Sequence, residues 1–185
     1  MQKIRMFVGV TLAAAALAAA PAAAQDGATL NIQGGGLSYD FLDDGTFAMG
    51  AVRVDWPLSR YVRAEVGGSY ARPAYTAFRP VSQNVTEAYD EHANVLTATV
   101  GVQAQLPTRI ASPYVGLATG LFGRFDPEGR GDRFVRPTQE VMAGVRVPVS
   151  RGIGLRGELR LRLDQHQNGG TASDMEHTLG VTIKL

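Results

Sequence analysis

Arg156, Glu158, Arg160 and Arg162 occupy every second position of a stretch whose other members include Ile153, Leu155, Leu159, Leu161 and Leu163. The same alternation sets Arg53 and Asp55 against Val52, Val54 and Trp56, and Arg63 and Glu65 against Val62, Ala64 and Val66. Glu140 and Arg146 likewise oppose Val141, Ala143, Val145 and Val147. Period two places one set on each face of a β-strand. A guanidinium presents a planar fork that grips carboxylates two bonds at a time, so mixed Arg and Glu on one face suit an enclosed ion-pair network. Two chemistries follow. A paired network would plug the space it occupies, because enclosed charges persist only when paired and hydrogen-bonded. An excess of arginine would instead line a narrow ion path.

The remaining reactive residues are weaker candidates. Asp90, Glu91 and His92 are metal-ligand types, but adjacent strand residues alternate faces and no cysteine supports them. Asp126, Glu128 and Asp132 lack the spacing of an EF-hand loop. Arg130-Gly131-Asp132 is a short adhesive-type tripeptide that arises readily by chance, and Asn84-Val85-Thr86 is a sequon to which no role is attached. Tyr75, Phe78 and Tyr89 fall in a polar stretch where they could contact a partner or each other. No metal or cofactor is expected.

The elements that must position the charged face come from residues 25–185. Residues 1–24 carry Lys3 and Arg5, an apolar run from Met6 to Ala20 and Ala22-Ala23-Ala24, the layout of a cleaved signal peptide. Its apolar run is too short for a comfortable transmembrane helix. Removing Lys3 and Arg5 takes the formal charge from +1 to −1, a balance that gives no reason to expect a nucleic-acid partner. With 0 cysteines in an exported chain, disulfides and thiol chemistry are excluded.

Eight alternating runs are predicted as strands, roughly 28–41, 46–56, 61–72, 93–106, 112–125, 137–149, 152–165 and 175–185. A tilted strand of about 10 residues crosses hydrocarbon. Three connections are short and proline-bearing: "PLSR" from Pro57, "PTRIASP" from Pro107 and "PVSRG" from Pro148. Proline suits a strand end and not a central ladder position. On the other side the connections over 73–92, 126–136 and 167–174 are longer and polar. Short turns at one end and long loops at the other are the asymmetry of an outer-membrane barrel. Trp56 and Tyr61 fall where an aromatic girdle meets the headgroups. The first run is irregular: Leu30 and Ile32 are even, Leu37, Tyr39 and Phe41 odd, a slip that either a bulge at Gly34-Gly35-Gly36 or a poorly packed strand would explain.

Alternation alone does not say which face is inside. Lys184 is the only lysine after residue 24, against fifteen arginines, whereas solvated sheets use both. Gly67, Gly101, Gly116, Gly120, Gly144, Gly154 and Gly180 also lie on the polar face, an economy of volume that a filled eight-strand lumen needs. The expected fold is therefore all-β, an eight-stranded antiparallel up-and-down transmembrane barrel with charges inside. A soluble exported barrel is the competing architecture.

The chain resembles the small outer-membrane barrels that include the OmpA transmembrane domain, OmpX and the opacity-type proteins. The residues that carry this are "SPYVGLATGLFG" (112–123) and the final "TLGVTIKL" (178–185). The ending resembles the family's assembly signal, with Thr178, Gly180, Ile183 and a last residue, Leu185, turned to lipid; the family usually ends in an aromatic. The resemblance implies lipid and the barrel-assembly machinery as partners, and a monomer in the outer membrane of a Gram-negative-type bacterium. "HQNGG" (166–170) is similar to the motif of lipid A deacylase barrels, but Gln167 and Asn168 follow His166 where that motif has serine, and only Ser173 is nearby. A non-enzymatic scaffold with a charge-plugged lumen is expected, with loops 73–92 and 126–136 free to meet an extracellular ligand. A small porin-like channel and a lipid A-modifying enzyme are the alternatives.

Overall fold

The computed structural model describes residues 27–38, 45–82, 85–125, 133–165 and 171–185, with side chains of 75–91, 164–165 and 171–173 outside that description. Ten strands form: β1 Thr29–Ser38, β2 Thr46–Pro57, β3 Val62–Ala71, β4 Ala74–Ser82, β5 Val85–His92, β6 Asn94–Gln105, β7 Ser112–Phe125, β8 Phe134–Pro148, β9 Ile153–Gln165 and β10 Thr171–Lys184. Eight of them close into a barrel in the order β1-β10-β9-β8-β7-β6-β3-β2, every pair antiparallel. Closure leaves no unpaired edge, the condition for a sheet to stand in hydrocarbon.

The barrel is turned with its oil outward. On β9, Leu159 is 54% exposed while its neighbours Glu158 and Arg160 are 4% and 2% exposed. Across β6, Val100 and Val102 face out and Thr99 and Gln103 face in. A water-soluble barrel would reverse this, so the apolar belt fits only a lipid surround.

The prolines end strands as their chemistry requires. Pro57 and Pro148 are the last residues of β2 and β8, and Pro107 stands just beyond β6. The turns they open close alike: the amides of Leu58 and Ser59 donate to the Val62 carbonyl (2.9 and 3.1 Å), and those of Val149 and Ser150 to Ile153 (3.0 and 2.9 Å). The start of β1 and the end of β10 meet at the same rim, where the Leu185 amide donates to the Ala28 carbonyl at 2.9 Å.

Three expectations need correction. The residues between β3 and β6 are not a plain loop: β4 and β5 pair with each other and with no barrel strand, with a register shift between Pro80 and Ser82. The proline there hides the hairpin from a reading of the sequence, and the shift is where the ladder accommodates it. The loop set at 126–136 is shorter, because β8 already begins at Phe134; its remainder, 126–132, lies outside the described residues together with the tripeptide at 130–132. No bulge exists at Gly34-Gly35-Gly36, since β1 keeps an unbroken register with both neighbours. Leu37 instead points into the lumen and is 1% exposed. Tyr39 and Phe41, like residues 1–24, lie outside the described residues.

Candidate functional site: an ion-paired lumen

The inward faces of five strands, β2, β3, β8, β9 and β10, bring the alternating charges together. Near the short-turn rim, Asp55 on β2 receives Arg63, Arg146 (3.4 Å) and Arg156 (3.4 Å), and the Asn31 amide donates to it at 2.7 Å. Arg63 also donates to the Thr29 hydroxyl at 3.0 Å, and Arg146 to Gln105 at 3.3 Å and to Gln103. One layer further in, Arg156 meets Glu65 (2.6 Å) and Glu158, and its Nε donates to the Tyr114 hydroxyl at 2.7 Å. That hydroxyl in turn donates to Glu158 at 2.6 Å. Arg160 closes the layer on Glu65, Glu158 (2.7 Å) and Glu140 (2.9 Å). Arg53 lies within 3.7 Å of Glu158 and 3.9 Å of Glu65.

The structure sets these ten residues on inward faces, and β10 adds two carboxylates that the sequence reading did not include. β10 supplies Asp174 and Glu176, which bind Arg162 (3.3 Å to Asp174) and Arg53 (3.2 Å to Glu176). The described ion pairs thus join six arginines, at 53, 63, 146, 156, 160 and 162, to six carboxylates, at 55, 65, 140, 158, 174 and 176. Asp174 and Glu176 were legible as the polar phase of "DMEHTLGVTI". His177 obscured them: it stands on the outward face, where a Cβ on Gly36 would come within 2.6 Å of its ring.

Pairing matters because each ion loses several kcal/mol of hydration on entering the lumen, and only multiple partners offset that. Glu65 illustrates the arrangement. It bonds Arg156 and Arg160 and accepts the Gln103 amide at 2.6 Å, so its lone pairs are used. Satisfied networks of this kind also rigidify what they join.

Above the charges, toward the long-connection end, lies a layer the sequence reading did not foresee. Leu37, Met49, Ala51, Ala71, Val95 and Phe122 form a buried cluster inside the barrel, with Phe47 and Phe134 packed against it. The Phe122 and Phe134 rings are 5.9 Å apart, and the Arg162 guanidinium lies 4.8 Å from the Phe122 centroid. The lumen thus holds two layers, a network of fixed charge and an apolar cluster. At the opposite mouth a recess of about 230 Å³ has Arg146 and Gln105 on its wall.

Glycines make room for the long side chains. A Cβ at Gly67 would strike the Arg53 side chain at 2.5 Å, and one at Gly144 the Tyr114 hydroxyl at 2.4 Å. Gly180 faces inward against Gln33, while Ile183 and Leu185 are 37% and 55% exposed on the outer face, so the ending presents its apolar residues to lipid. Trp56 packs over Val54 with Leu30 and Val66, and Tyr61 is exposed at the rim with Arg60 5.5 Å from its ring centroid.

The other chemical candidates gain nothing. Of Asp90-Glu91-His92 only the His92 side chain is described, and no metal-holding group of three or more such side chains occurs among the described residues. "HQNGG", Asp126, Glu128, Asp132 and Asn84 lie outside the described residues, as do the side chains of Ser173, Tyr75, Phe78 and Tyr89.

A closed antiparallel barrel of eight strands with an apolar exterior and a polar, filled interior defines a transmembrane outer-membrane barrel. The chain belongs to the outer membrane protein beta-barrel domain family, whose model matches residues 10–184. The protein is accordingly a component of the bacterial outer membrane. Among solved structures it is similar to the Neisserial surface protein A (15% identity, TM-score 0.61, 86% of this chain and 96% of that one). It is also similar to the N-terminal β-barrel domain of Pseudomonas aeruginosa OprF (12%, 0.56, 85% and 97%). A third is Ail, the attachment invasion locus protein of Yersinia pestis, solved with the heparin analogue sucrose octasulfate (10%, 0.52, 86% and 97%). At these identities the likeness is one of fold. The search of curated proteins found no match.

Proposed function

We propose that the protein is a non-enzymatic scaffold of the outer membrane that anchors an external hairpin and conducts no solute through its barrel. The reading rests on the two-layered lumen, in which Arg156, Arg160 and Glu158 are each 4% exposed or less beneath an apolar layer. A charged side chain held by three partners is not free to swing aside, and the apolar layer offers an ion no hydration. The residues at 1–24 act as the export signal, and the stripe ending in Ile183 and Leu185 is presented to the assembly machinery. The barrel works as a monomer, the described ion pairs of its lumen being made within one chain.

The surface role falls to β4 and β5. Among the described residues no strand pairs with the outer side of β4 or β5, and each edge could take a further strand from a partner. Ail, similar in fold, is by name an attachment protein; that likeness suggests cell attachment as the first assay for the hairpin. Purified protein in a planar bilayer is expected to show no steady conductance, and a persistent open level in most insertions would refute the sealed lumen. Excising residues 75–91 is expected to leave a heat-modifiable barrel and to abolish attachment of expressing cells to surfaces. Attachment unaffected by the excision would remove the hairpin from the proposal.

A further inference from the structure

The short-turn rim carries a pattern that the scaffold reading leaves unused. Around the barrel it has four stations: the β2–β3, β6–β7 and β8–β9 turns and the paired ends of β1 and β10. Each station holds one exposed cation, Arg60, Arg109, Arg151 and Lys184 in turn. Each also holds an exposed aliphatic residue: Leu58 (58%), Ile110 (81%), Val149 (64%) and Leu185 (55%). No aspartate or glutamate among the described residues is exposed at this rim; Asp55, the nearest on β2, is fully buried in the lumen. None of the four cations makes a described ion pair.

Turns bathed in water have no use for a branched aliphatic at the tip. Turns lying in a headgroup layer do, because the aliphatic enters the acyl region while the cation stays level with phosphate. The turns are also too short to reach past the membrane surface. We infer that the rim is an annular binding site for anionic phospholipid headgroups of the inner leaflet, phosphatidylglycerol being the simplest probe, with one cation and one aliphatic anchor per station. Anionic headgroups are favoured over zwitterionic ones because four exposed cations attract them and no aspartate or glutamate side chain described at the rim opposes this. The orientation follows from the outer-membrane location, since short turns face the periplasm.

The chain has a single tryptophan, and Trp56 lies next to the first station. Protein refolded into phosphatidylcholine vesicles with a minor fraction of phosphatidylglycerol is compared with bromine quencher on one lipid or the other. Per mole of quencher, brominated phosphatidylglycerol is expected to quench Trp56 about threefold more effectively. The preference is expected to vanish in Arg60→Gln and to survive in Arg60→Lys, with heat-modifiable migration confirming that both variants fold. Equal quenching by the two lipids, or a preference retained by Arg60→Gln, would overturn the site. Inorganic phosphate added at constant ionic strength is expected to leave the quenching unchanged; if it displaces the lipid, the rim is a soluble-phosphate site and the lipid assignment fails.

Discussion

Replacing Arg156 with methionine is expected to destabilise the folded barrel by about 3–5 kcal/mol, the cost of stranding a buried charge partner. Arg156 is fully buried and is shared by Asp55, Glu65, Glu158 and Tyr114. Its loss leaves three carboxylates converging on a space that no longer holds a cation, while the shape is nearly kept by methionine. Equilibrium urea unfolding in lipid vesicles, read by Trp56 fluorescence, measures the effect. Glu158→Gln made together with Arg156→Met is expected to cost less than the two changes summed, because the second removes a charge the first has stranded. Strict additivity would mean that the two side chains do not interact, and the network drawn above would be wrong at its centre. Arg156→Lys is expected to fall between, since an ammonium keeps the charge but not the fork.

The second large effect comes from glycines rather than charges. A Cβ at Gly120 would lie 2.0 Å from the Ala98 carbonyl oxygen, and one at Gly180 2.0 Å from that of Ile32. Both obstacles are backbone of the adjacent strand, which cannot rotate away, so the strands must part. Gly120→Val and Gly180→Val are each expected to cost about 3 kcal/mol or more, enough to abolish the heat-modifiable form. Gly157 is the control. A Cβ there meets nothing nearer than 3.9 Å and faces lipid between Leu179 and Val145. Gly157→Ala is expected to change stability by no more than about 0.5 kcal/mol. Normal folding of Gly120→Val would show that the barrel wall is looser than described.

These two predictions also show what a reading of the sequence can reach. Strand alternation exposed the two faces of β9 because its chemistry is unmixed: leucines on one phase, charges on the other. The strand-ending prolines marked the short turns for a reason that does not depend on context, the missing amide. The same method misplaced Leu37, because period two sorts residues by type and cannot know that the upper lumen is apolar. The glycines at 34, 35 and 36 made matters worse, since a residue without a side chain gives no signal of its face. Asp174 and Glu176 were passed over for the opposite reason: His177, a polar residue, sits on the lipid phase between apolar ones and blurred the pattern just where the last two lumen carboxylates begin. Without them the described network held six arginines and four carboxylates; with them each of its arginines has a carboxylate partner. The β4–β5 hairpin was hidden by Pro80, which argues against a regular strand and is tolerated here at a register shift in an isolated pair.

The account stands on an apolar exterior and a sealed, polar interior, and β6 offers the cleanest place to test both at once. The chain has no cysteine of its own, and Thr97 and Thr99 (5% and 6% exposed) alternate with Ala98 and Val100, the last 56% exposed. Single cysteines at 97, 98, 99 and 100 in vesicles should be probed with a lipid-soluble maleimide and a small water-soluble methanethiosulfonate. Cysteines at 98 and 100 are expected to react with the lipid-borne reagent alone, and those at 97 and 99 with neither. Rapid reaction at 97 or 99 with the aqueous reagent would mean an open lumen, and lipid-phase labelling of 97 and 99 in place of 98 and 100 would mean that the barrel is inside out.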